Sequence, residues 1–208
     1  DLTNASLLMG VESKKLCPAG YSVDSFLSQS SSTHDFYGFV MPRKTDHAFT
    51  LMHNSGGYFL KVKGETEVIQ KNGVSLIKRT EDNIKSVGDE KLTQFLLYAS
   101  QRSLKEKAYL KKIGSLYKEK VDLGLFGEQS GRLFVITPSI CATENGRKLH
   151  QLEIEYGGKL VGHAAAKEDV YTELSRLTSA VVGSLPQRLR NDAISSSQTK
   201  FEWLLQNA

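Results

Sequence analysis

The sequence predicts an α+β fold made mainly of antiparallel strands, and three observations predict it. Short turn-forming clusters join successive β-favouring runs, which sets sequence neighbours side by side as hairpins. Two longer segments repeat their apolar residues with a helical period. A third segment, near the C-terminus, carries a helix-start signal.

Taken in order, Phe49 to Lys63 reads as a hairpin around Asn54-Ser55-Gly56-Gly57. Asn72-Gly73 supplies the next turn, leading into a strand from Val74 to Glu81. Asp89 to Ser100 places Leu92, Phe95, Leu96 and Ala99 on one helical face. Gly114 to Leu123 is a further strand. Gly131 to Ile140 and Lys148 to Tyr156 form a second hairpin about Asn145-Gly146. Asp169 to Val182 aligns Val170, Leu174, Leu177 and Val181 in one stripe. Thr199 to Gln206 is a short helix, with Thr199 and Glu202 at capping-box spacing and Trp203 anchoring it by burial. The serine-rich stretches Ser28 to Ser32 and Ser195 to Ser197 read as loops, and Gly56-Gly57 and Gly157-Gly158 as turns.

Composition narrows the class. In 208 residues, 39% hydrophobic and 24% charged, apolar content is ample and the net charge is only +4, which excludes disorder of the bulk. No apolar run approaches the roughly 20 residues of a membrane helix, so no membrane partner is expected. Met9 is read as the natural start. Cys17 and Cys141 sit in no CxxC pattern and read as reduced structural thiols of a cytoplasmic protein. No P-loop, dinucleotide fingerprint or Ser/His/Asp arrangement is present.

The informative feature is the charge on strand faces, because side chains two apart point the same way. Lys61 and Lys63 share a face with Phe59; Lys118 and Lys120 share one with Asp122; Glu153 and Glu155 share one with Gln151; and Glu12 shares one with Lys14. An ordinary sheet turns such faces to water. Segregation by sign suggests otherwise: closed into a barrel, these faces make a lumen with basic walls and an acidic patch. That lumen suits a polyphosphate with a divalent cation.

The stretch HQLEIEYGG followed by the helix EDVYTELSRLTSAVV resembles the C-terminal end of the CYTH, or triphosphate tunnel, family. YFLKVKG, SLIKRTED, LYKEKVDL and GRLFVITPSI resemble its other strands, in the family's order, so the likeness spans most of Val11 to Leu185. It implies an eight-stranded antiparallel barrel over residues 9–185, with 186–208 a helical extension packed on it. It also implies hydrolysis of a triphosphate-containing small molecule with Mg²⁺ or Mn²⁺. Family activities include hydrolysis of tripolyphosphate, thiamine triphosphate and RNA 5′-triphosphate ends, and cyclisation of ATP. An RNA 5′-triphosphate end is the one nucleic-acid partner implied.

Carried over residue by residue, Glu12, Glu153 and Glu155 are the metal ligands. Lys14, Lys61, Lys63, Lys78 or Arg79, Lys118, Lys120 and Arg132 grip phosphate, and Glu153, Glu155 and Lys61 form the catalytic group. Lys78 and Arg79 have opposite parity, and Lys78 is favoured as the inward one. Gly10 stands where the family has its first glutamate. That departure favours the alternative, a non-catalytic nucleotide- or polyphosphate-binding module, whereas the Glu153–Glu155 pair favours the hydrolase.

Single residues carry less. His34, His47, His53, His150 and His163 show no metal-ligand spacing. The basic run Lys105 to Lys120 reads as a solvated helix followed by a strand rather than a nucleic-acid surface. Tyr58, Phe59, Tyr98 and Tyr117 read as core.

Overall fold

A computed structural model describes residues 17–55, 57–84, 90–160, 168–185, 187, 190 and 196–207. Within these, seven antiparallel strands form one curled sheet: β1 (Tyr21–Met41), β2 (Lys44–Asn54), β3 (Gly57–Lys71), β4 (Val74–Ile84), β5 (Tyr109–Gly127), β6 (Arg132–Thr143) and β7 (Lys148–Lys159). Their order is β4-β3-β2-β1-β5-β6-β7. Three helices accompany them: α1 (Glu90–Glu106), α2 (Val170–Ser184) and α3 (Lys200–Asn207). None is long and apolar enough to cross a membrane.

The hairpins form where turn chemistry predicts them. Asn72 and Gly73 both take positive φ (49° and 76°), the twist that a two-residue hairpin loop needs. The α3 capping box is reciprocal: Glu202 Oε2 accepts from the Thr199 backbone N–H at 2.7 Å, and Thr199 Oγ1 from that of Glu202 at 3.2 Å.

Four readings are corrected. Ser28 to Ser32 is not a loop: it lies inside β1, paired with β5 from Ser28↔Asp122 to Ser32↔Lys118. The continuous ladder to β5 outweighs the weak β preference of serine. Gly157-Gly158 is not a turn but lies within β7, where the register against β6 shifts. Tyr58, Tyr98 and Tyr117 are not core; they are 67%, 53% and 47% exposed. The favoured inward residue of β4 is also reversed, as the site geometry shows below. Gly10, Glu12, Lys14 and His163 lie outside the described residues.

The two sheet faces differ sharply. On one, α1 packs Phe95 and Ala99 against Phe39, Ala48 and Ile84. On that same face, α2 packs Leu177 and Val181 against Leu123, Leu125, Phe134 and Ile136. α2 also reaches both ends of the strand order, contacting β3, β4 and β7. Ser175 Oγ donates to the Lys71 carbonyl at 2.9 Å. The opposite face is polar. In a flat sheet, β3 and β7 would stand about 24 Å apart, five strand spacings. Yet Glu153 on β7 acts electrostatically on Lys63 of β3. The sheet therefore curls toward its charged face, which is concave.

Candidate functional site

Each strand sends side chains to the concave face in alternate positions, and cross-strand register fixes which they are. From β5 come Lys118, Lys120 and Asp122; register carries that face through Ser139 and Thr137 on β6 to Gln151 and Glu153 on β7. In the other direction it runs through Ser32 and His34 on β1 and Thr50 on β2 to Lys61, then Lys63 and Glu81. Arg79, two residues from Glu81 along β4, shares this face and lies 3.8 Å from Glu81; the Lys63/Thr66 register shift places its extra residue on β3.

Helix α3 covers one part of the face. Phe201 and Leu204 close over Phe36, Leu116 and Cys141. This seats Lys200 beside Glu153, with 2.8 Å between Lys200 Nζ and Oε1; Lys118 Nζ lies 3.2 Å from Oε2. Both oxygens of Glu153 thus accept from ammonium groups. Burial raises its pKa, but Lys200 and Lys118 more than offset that and hold it at about 2. Asp122 repeats the pattern, with Lys120 Nζ at 2.5 Å and Thr137 Oγ1 donating at 2.7 Å. Lys61 pairs with Glu81 at 2.5 Å.

Lys63 differs from its neighbours: it forms no ion pair with a described residue. Burial, then Arg79 and Lys200, depress its pKa to about 8. His34 and His47 lie on the same face. Sequence parity alone sets His47 with Phe49, but the β2 register shift, Tyr37↔Phe49 then Gly38↔His47, turns His47 inward. It packs edge-on against Phe201, with ring centroids 4.9 Å apart. Lys200, His34 and His47 were missed in the sequence: α3 sits far from the strands in the chain, and a bulge leaves no residue pattern.

Of the residues expected at the site, Lys61, Lys63, Arg79, Lys118, Lys120 and Glu153 come together. Glu155 shares the Glu153 face but is exposed. Lys78 points the other way, exposed, pairing with Glu67 at 3.1 Å; Arg79 is the inward residue. Arg132 faces α2 instead, where Glu173 Oε2 lies 2.5 Å from its guanidinium. It belongs to a structural cluster in which Glu173, 2% exposed, also accepts from Tyr21 and Ser130 hydroxyls.

Among the described residues, no three His, Cys, Asp or Glu side chains converge as a metal set. The carboxylate best placed for one, Glu153, has both oxygens engaged by lysines. The described residues therefore do not fit a divalent cation as they stand. A pocket of about 320 Å³ on the convex face, floored by Asp35, is a weaker candidate. Asp35 there is already engaged, pairing with Lys112 at 2.9 Å and accepting from Ser115 at 2.7 Å.

No protein-family model matches the chain, and a search of curated proteins found no match.

Proposed function

We propose that the concave face binds a polyphosphate, either an inorganic chain or the triphosphate group of a small molecule. One observation carries this reading: six cations, Lys61, Lys63, Arg79, Lys118, Lys120 and Lys200, share a face with four carboxylates, Glu81, Asp122, Glu153 and Glu155, and Lys63 stands half-buried without an ion pair to any described residue. A half-buried ammonium without a counter-ion is unfavourable, and phosphate oxygens supply one while accepting its hydrogen bonds. The resemblance to the triphosphate tunnel family supports the same ligand class. A closed, eight-stranded barrel belongs to this proposal.

Metal-dependent hydrolysis with Mg²⁺ or Mn²⁺ is the second reading. It is favoured by Glu153 and Glu155 lying on one face, but the engagement of Glu153 by two lysines places binding ahead of it.

Calorimetry with tripolyphosphate in EDTA tests the first reading. Lys63→Ala is expected to weaken binding by about tenfold, the loss of one charge-assisted contact. Glu153→Gln is expected to tighten it, because Lys118 and Lys200 are released. Failure of tripolyphosphate, ATP and thiamine triphosphate alike to bind overturns the reading. Phosphate release that requires Mg²⁺ or Mn²⁺, and is lost in Glu155→Gln, would put the second reading first.

A further inference from the structure

Two imidazoles stand among the cations of the concave face, each with a hydroxyl partner. His34 Nε2 lies 2.8 Å from Ser32 Oγ, and His47 Nε2 lies 3.0 Å from Thr50 Oγ1. Neither ring forms an ion pair with a described carboxylate, whereas His53, on the convex face, pairs with Asp35. The charges that act most strongly on His34 are cationic: Lys118 from β5, Lys200 from α3, and Lys61 and Lys63 from β3, with Glu153 of β7 paired to the first two. His47 faces Lys63 from β3, Arg79 and Glu81 from β4, and the rings of Phe36 and Phe201, and it also hydrogen-bonds the Phe49 backbone within β2. Burial first, and then these cations, push His34 down to about 3 and His47 to about 4. In the free protein both rings are neutral at physiological pH.

An arriving polyanion reverses the sign of the local field. Its oxygens neutralise the surrounding ammonium groups and accept from whatever donors remain, and an imidazolium donates from both ring nitrogens where imidazole donates from one. We propose that the concave face takes up its anion together with protons, His34 and His47 passing from imidazole to imidazolium as a polyphosphate binds. The inference rests on the polyphosphate reading above. Each proton comes from the buffer, and no bond in the ligand is made or broken. Affinity then rises as pH falls, by about tenfold per pH unit for each proton taken up.

The probe is trimetaphosphate, a cyclic triphosphate whose charges do not titrate near neutral pH, so proton exchange belongs to the protein. At pH 5.5 Lys63 is already charged and contributes nothing. Calorimetry at that pH, in two buffers of different ionisation enthalpy, is expected to show about two protons taken up per anion, one on each ring. Imidazole Cε1–H resonances of the wild-type protein are expected to move to imidazolium positions on binding. The paired substitutions His34→Asn and His47→Asn should abolish the uptake and leave a weaker, pH-flat affinity. Binding without uptake overturns the inference and leaves the polyphosphate reading standing. Uptake with unmoved imidazole resonances also overturns it, placing the protons on Glu81, Asp122 or Glu153. No binding at any pH by trimetaphosphate or tripolyphosphate removes both.

Discussion

Glu153 and Glu173 hold their charges by the same device on opposite faces of the sheet. Each carboxylate is taken from water and surrounded by donors: two lysines for Glu153, and Arg132, Tyr21 and Ser130 for Glu173. They differ in what lies around them. Glu173 is 2% exposed and sealed under α2, and its charge holds Tyr21, already raised by burial, at a pKa of about 12. Glu153 opens onto the concave face, where a competing anion can exchange for it on Lys118 and Lys200. Removing one partner of a buried pair leaves the other charge uncompensated. Glu173→Ala is therefore expected to lower stability by about 3–5 kcal/mol, read from the urea midpoint at constant slope. A loss below about 1 kcal/mol, the range of an exposed pair, would show that Arg132 finds water instead.

Helix α3 has only eight residues, too short to persist alone, so tertiary packing must hold it. Its apolar side is almost fully buried, Phe201 being 3% and Leu204 1% exposed. The sheet accommodates it over two glycines. A Cβ at Gly38 would stand 3.1 Å from the Phe201 ring and from the Asp46 carbonyl, and one at Gly114 3.2 Å from Leu204. The helix thus lies close on the sheet, which brings Lys200 to Glu153. Phe201→Ala is expected to cost about 3–5 kcal/mol in chemical denaturation and to release α3 from the face. Because Lys200 leaves with it, tripolyphosphate affinity should fall too. Unchanged affinity would mean that Lys200 takes no part in the site.

At the scale of the whole molecule, curling concentrates like charge on one face and makes stability depend on pH. Unfolded histidine titrates near pH 6.5, whereas His34 and His47 in the fold titrate near 3 and 4. Between those values the unfolded chain binds more protons, so stability falls as pH drops from about 6.5 toward 4. Glu153 works in the same direction at lower pH: its folded value of about 2 against 4.5 means its contribution is lost as pH falls through that window. The free protein is expected to lose at most about 2 kcal/mol per histidine between pH 7 and pH 5. His34→Asn should flatten the melting temperature over that range. A melting temperature that is already flat in the wild type would contradict the burial of both rings among cations.

Much of this architecture was legible in the residues. Asn-Gly turns, the Thr199–Glu202 box and the 3.6-residue stripes of α1 and α2 are local signals, governed by backbone torsions and by contacts a few residues apart. The alternation that set Lys61 with Lys63, Lys118 with Lys120 and Asp122, and Glu153 with Glu155 is equally local, because successive strand residues must point to opposite faces. The sequence by itself therefore determined the α+β class, most of the elements and which charges travel together. Tertiary structure decided the rest. Pairing with β5 made a strand of Ser28 to Ser32; a bulge turned His47 inward; the β3–β4 register left Arg79 inside and Lys78 outside; packing under α2 drew Arg132 away to Glu173; and α3 returned from the chain's far end with Lys200. Each of these depends on contacts between residues distant in the chain, whose energies outweigh local preference and leave no pattern in a single stretch.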